Sequence, residues 1–138
     1  MSSTKHVFLS YARENRELAK DLASLMSRRG ASVFFDCDAM QAGDLWSGVL
    51  RREIEKASAL VLLIPPDNDP HRNNIWFEAG AAKALGKRIL AVLPPNRPAV
   101  DLPFEFADIM VLDADKRPLE SIAETLVQAV PESDDIKV

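Results

Sequence analysis

The sequence predicts an α/β domain, a five-stranded parallel sheet in the order 2-1-3-4-5 with helices on both faces. Three observations carry that expectation. Short apolar runs alternate with stretches of helical periodicity along the chain. The central run, residues 59–64, is apolar throughout, as a strand covered on both faces must be. A chain of 138 residues, 47% hydrophobic and 28% charged, has the size and balance of one globular domain and is too apolar to remain disordered.

The elements follow in order. Val7, Phe8, Leu9 and Ser10 read as the first strand, bounded by polar residues. Over residues 15–29, Leu18, Leu22, Leu25 and Met26 fall on one face of an amphipathic helix, and Gly30 is placed to end it. Ser32 to Phe35 form the second strand, and a polar loop over residues 36–44 contains Gly43. Asp44 is a candidate cap for a helix reaching residue 57, with Trp46, Val49, Leu50 and Ile54 as its inner face. Residues 59–64 are the third strand, stopped by Pro65 and Pro66, since proline cannot continue a central ladder. Asn73 and Asn74 are candidate caps for a helix over residues 75–85 that stops at Gly86. A fourth strand at 88–93, a connector with Pro94, Pro95, Pro98 and Pro103, and a fifth strand at 109–112 come next. Pro118 stands near the start of a last helix whose face is Ile122, Leu126 and Val130. One domain over residues 1–131 is expected, with an acidic tail, 132–138, that frays.

Strands separated by helices imply parallel pairing, and at this length the flavodoxin-like order 2-1-3-4-5 is the expected winding. Ligands of such sheets bind beyond the carboxyl ends of the strands, where the winding direction switches, here between strands one and three. That rule singles out residues 10–13 and the loop after Ile64, which leads to the helix carrying Glu78.

Composition removes several functions. A net charge of −4 disfavours nonspecific nucleic-acid binding, which needs phosphate-neutralising Lys and Arg. Cys37 is the single cysteine and His6 and His71 the only histidines, so no disulfide framework, cysteine-rich zinc site or other metal centre is expected. No apolar run approaches the roughly 20 residues of a membrane span, and the opening residues do not form a secretion signal. The expectation is a cytoplasmic domain with no direct nucleic-acid or membrane partner. Neither a phosphate-binding P-loop nor a Gly-x-Gly-x-x-Gly turn occurs, since Ser10, Tyr11, Ala12 and Arg13 fill the first turn. A phospho-accepting receiver is excluded by Ser10 and Tyr11 where acidic residues belong and by Pro65 where the third strand should end in Asp.

Glu78 remains. With Asn74 as cap, the positive end of the helix dipole lies close and favours the ionised carboxylate. Its neighbours Ile75 and Ala82 put it beside an apolar stripe, where a charge is costly unless a cleft receives it. Two readings stay open at this point, a glutamate that merely complements the dipole and a functional acid at the switch point. Trp46 and Phe35 have the bulk of core residues, Ser10 and Tyr11 suit a turn, and Arg13 is placed either for solvent or for a ligand phosphate. Cys37 reads as an incidental loop thiol.

Taken together, Val7-Phe8-Leu9-Ser10-Tyr11, the run from Ala31 to Asp36, the loop with Gly43, and Trp46 through Arg52, Glu53 and Ile54 to Ser58 resemble the Toll/interleukin-1 receptor (TIR) domain in its bacterial form. Residues 59–64 and Trp76-Phe77-Glu78-Ala79-Gly80-Ala81-Ala82, followed by Gly86 and Lys87, resemble that family's third strand and glutamate helix. The likeness is good over residues 5–95 and rests on element order beyond them. It implies the TIR fold and either of two functions. One is cleavage of NAD at the nicotinamide–ribose bond by an assembly-activated immune effector, an NADase of antiphage defence. The other is a non-catalytic protein-interaction module.

The family's catalytic glutamate corresponds to Glu78. The resemblance further implies substrate contacts from Ser10, Tyr11, Arg13, Phe35, Trp46 and Asn74. It implies NAD as substrate with no separate cofactor, and self-association through the BB loop at Asp36, Gly43 and Asp44. It also implies a fused sensor domain or a partner protein as trigger. Hydrolysis and cyclisation both remain open as outcomes. The pattern departs from many members in having Asn74 four residues before Glu78 and Trp76 two before it. The same helix is similar to nucleoside deoxyribosyltransferase-like proteins, an enzymatic alternative that the first strand's motif disfavours.

Overall fold

A computed structural model describes residues 5–35, 48–66, 72–96, 102–103, 106 and 109–132, with backbone only at 48–50, 72 and 74. Within them, β1 (His6–Ser10), β2 (Ser32–Phe34), β3 (Ala59–Leu63), β4 (Arg88–Leu93) and β5 (Met110–Asp113) form one sheet in the order β2-β1-β3-β4-β5. Every pairing is parallel, with Phe8 beside Phe34 and Leu60, and Ser10 beside Leu62. Helices α1 (Arg16–Arg28), α2 (Gly48–Lys56) and α3 (Arg72–Ala84) lie along connections between strands, and α4 (Leu119–Ala129) follows β5. No helix of the described residues is long and apolar enough to cross a membrane.

The pleat sorts side chains onto two cores. Val7, Leu9, Val61, Leu63 and Val92 face α1 and α4, whose Leu22, Met26, Ile122 and Leu126 close the first core. Phe8, Leu60, Leu62, Ala91 and Leu93 face α2 and α3, whose Ile54, Ile75, Ala79 and Ala82 close the second. β3 is buried at every position because both faces are covered, whereas Met110 and Val111 of the edge strand β5 are exposed. The whole arrangement is the one the apolar runs imply.

Two helices stop where glycine permits it. Gly30 has φ +95° and Gly86 φ +79°, conformations that a Cβ disfavours. At α3, the Gly86 amide donates to the Lys83 carbonyl and the Lys87 amide to that of Ala82, both at 2.9 Å.

The start of α3 differs from expectation. The helix begins at Arg72, so Asn73 and Asn74 lie inside its first turn and do not cap it. An N-cap needs a non-helical backbone, and cap preference yields when packing of Ile75, Ala79 and Ala82 favours a longer helix. Glu78 is consequently the seventh helical residue, nearly two turns from the positive end, where the dipole has faded.

Candidate active site

Glu78 is almost fully buried, at 1% exposure, on a helix packed against β3 and β4. It shares the inner face of α3 with Ile75, Ala79 and Ala82, all at 0%. Ser10 approaches it from the sheet. It is the last residue of β1 and equally buried, and it occupies the position that Phe8 and Ala12 fill with apolar side chains on the same face. Its Oγ donates to Glu78 Oε1 at 2.9 Å. Among the described residues Glu78 Oε2 has no partner, and the Nδ2 of buried Asn15 is in the same condition.

This environment governs ionisation. Burial pushes the Glu78 carboxyl from its ordinary value of 4.5 up to about 7, and the Ser10 hydrogen bond opposes part of that rise. The dipole argument from sequence pointed toward a low value, and desolvation prevails because the helix positions Glu78 deep in apolar packing and far from its own N-terminus. A carboxyl that changes charge near neutrality can both accept a proton and carry charge under one set of conditions.

The remaining residues separate by face. Tyr11 is buried in the first core, its ring 6.2 Å from that of Phe35, so both aromatics lie on the side of the sheet opposite Ser10 and Glu78. Strand alternation gives the reason, because Ser10 and Tyr11 are consecutive and must point to opposite faces. The aromatic of β2 that shares the Ser10 face is Phe34, packed on Phe8 at 5.4 Å. Arg13 opens a 3-10 turn just beyond β1 and is exposed at the carboxyl edge. Asn74 is in the first turn of α3. Asp36, Gly43, Asp44 and Trp46 lie outside the described residues.

Sequence reasoning named Ser10 for substrate and missed its bond to Glu78. The signal was present as two polar interruptions of otherwise apolar stripes, one on β1 and one on the helix packed over the same face. Asn15 was missed as well, since a buried amide in a short turn leaves no periodic trace. Two surface cavities, of 610 Å³ beside Arg52, Ser58 and Lys87 and of 450 Å³ beside Trp76, Phe77 and Phe106, lie away from this pair.

Fold and site define a class, a doubly wound α/β domain with one buried acid, among the described residues, beside the switch point. Sequence comparison narrows the class to a family. The family described as "TIR domain" matches residues 7–129, and the chain belongs to it. Over 124 residues the chain is 31% identical to the NAD(+) hydrolase sarm1 of Drosophila melanogaster, covering 85% of this chain and 9% of that protein.

Solved structures with this fold include the TIR domain of the Toll-related receptor TRR-2 from Hydra magnipapillata. Its TM-score is 0.68 at 21% identity, over 90% of this chain and 96% of that one. The RPS4 and RRS1 TIR domain heterodimer gives 0.61 at 18%, over 91% and 95%. The CMP N-glycosidase BcmB of Clostridium botulinum gives 0.59 at 17%, over 88% and 98%. At such identities the likeness is one of fold.

Proposed function

We propose that this TIR domain is an NAD nucleosidase that cleaves the nicotinamide–ribose bond, with Glu78 as its catalytic carboxylate. The observation that carries the reading is a carboxylic acid buried beside the switch point, hydrogen-bonded through one oxygen and raised to about 7. The similarity to an NAD(+) hydrolase over most of the chain supports the choice of substrate.

The chemistry suits one carboxylate. Nicotinamide is attached as a pyridinium cation, so the C1′–N bond breaks with its electron pair returning to the ring, and no acid has to protonate the leaving group. Positive charge then develops on the ribose, as in glycoside cleavage. Ionised Glu78 stabilises that charge from its buried position. Water adding to C1′ and losing a proton gives ADP-ribose, whereas an adenine ring nitrogen as acceptor gives a cyclic product. Arg13, exposed at the carboxyl edge, is suited to the pyrophosphate. Trp46 takes the role of base-stacking residue that the resemblance gives it. Self-association through the loop of Asp36, Gly43 and Asp44 completes the site and acts as the switch. A sensor domain or partner protein triggers it, and the setting is bacterial immune signalling.

Glu78→Gln keeps the shape and removes the charge. It should lower nicotinamide release from NAD by at least about 100-fold while the circular dichroism spectrum stays native. Undiminished release in a folded variant overturns the assignment. If the domain is instead a non-catalytic module, wild type releases no nicotinamide, and substitutions at Gly43 or Asp44 abolish partner binding alone.

A further inference from the structure

We propose that Ser10 is the positioning residue of Glu78: its Oγ holds Oε1, and Oε2, without a partner among the described residues, is the oxygen left to meet a ligand. The proposal rests on the catalytic reading of Glu78 for its functional meaning, but the positioning itself is a property of the free protein.

The geometry supports a positioning role on three counts. First, the anchor is rigid. Ser10 ends a strand hydrogen-bonded to β3, in register with Leu62, and its own side chain has a single carbon–carbon torsion to fix. Second, the group it holds is not otherwise fixed by polar contacts. Glu78 has three side-chain torsions, and β3 and β4 turn only apolar side chains toward α3 (Leu60 and Leu62 from one, with Ile64 just beyond it; Ile89, Ala91 and Leu93 from the other). No charged group contributes to the ionisation of Glu78, and Ser10 supplies its one hydrogen bond among the described residues. Third, the serine is expensive where it stands. At 0% exposure a hydroxyl disrupts a face made of Phe8 and Ala12 unless its bond is satisfied, and Glu78 satisfies it.

One bond thus has two effects. It selects the carboxylate rotamer, so that the unpaired lone pairs of Oε2 have a fixed direction. It also favours the ionised form against burial, which brings the acid back toward neutrality, where it carries charge.

The test reads the carboxyl directly. Protein labelled with carbon-13 at the glutamate carboxyl is titrated by NMR, and the Glu78 signal is assigned by its absence in Glu78→Gln. In wild type the midpoint is expected near 7. In Ser10→Ala it moves up by roughly one pH unit, the worth of a hydrogen bond to a charged group. With NAD, Ser10→Ala should lose kcat by roughly 10-fold or more, with KM within about threefold, and the acid limb of its pH profile should move up by the same amount as the NMR midpoint. Ser10→Thr, which keeps the hydroxyl, should restore the midpoint. Should Ser10→Ala not fold, Ser10→Cys fills the volume with a weaker donor and should give a smaller upward move. An unmoved Glu78 midpoint in a folded Ser10 variant overturns the proposal. Because that readout needs no substrate, a wild-type protein that fails to cleave NAD would sink the nucleosidase reading and leave the positioning of Glu78 to be decided by the titration alone.

Discussion

Burial of Glu78 makes a quantitative demand on stability. The carboxyl titrates at about 7 in the folded protein against 4.5 ordinarily. At about 1.4 kcal/mol per pH unit, that difference corresponds to roughly 3 to 4 kcal/mol. The sign follows from proton linkage. Between the two values the folded state binds the proton and the unfolded state does not, so stability is fully present below 4.5 and falls as pH rises toward 7. From about pH 5 to about pH 8, wild type should lose roughly 2 to 3 kcal/mol from this one group.

Glu78→Gln cannot titrate and should not lose that part, although its amide still accepts from Ser10. Urea unfolding of both proteins across this range, compared at each pH, cancels the contributions of every other titrating group. The stability difference, variant minus wild type, should grow by roughly 2 to 3 kcal/mol toward alkaline pH, with unchanged m-values. Parallel curves, differing by a constant within about 0.5 kcal/mol, would refute the claim that desolvation governs this carboxyl.

Other outcomes follow from the same structure. If the ionised form of Glu78 stabilises the developing ribose cation, kcat/KM should fall about tenfold per pH unit below 7 and level off above it, and a flat profile from about pH 5.5 to 8.5 would contradict that role. Leu22→Ala, at a fully buried position of the first core, should cost about 2–5 kcal/mol in urea unfolding. Gly86→Ala should cost about 1 kcal/mol because φ is +79°, with activity per folded molecule unchanged. Arg13→Ala should raise KM for NAD and leave kcat nearly intact if the guanidinium meets the pyrophosphate, which steady-state kinetics would show.

The sheet was legible in the sequence because apolar runs and helical stripes are local signals. Residues 59–64 announce a doubly covered strand, and Leu22 and Met26 announce the inner face of α1. Glu78 was legible by place, since the switch-point rule needs only strand order. Other features were not read, each for a physical reason. The first turn of α3 was assigned to caps because Asn73 and Asn74 prefer such positions, and local preference yielded to packing. The ionisation of Glu78 depends on how deep the carboxyl sits among β3 and β4, a tertiary quantity that helix position alone misjudged. The bond between Ser10 and Glu78 joins residues 68 positions apart and is visible only once the helix lies over the sheet.

On the proposed function, the carboxylate of Glu78 breaks the nicotinamide–ribose bond of NAD in an assembled form of the domain. The most direct test is nicotinamide release from NAD, resolved by chromatography, over a series of protein concentrations with and without a crowding agent. The account predicts release per molecule that climbs with protein concentration and vanishes in Glu78→Ala. Absence of release at every concentration, or release that persists in Glu78→Ala, would contradict it.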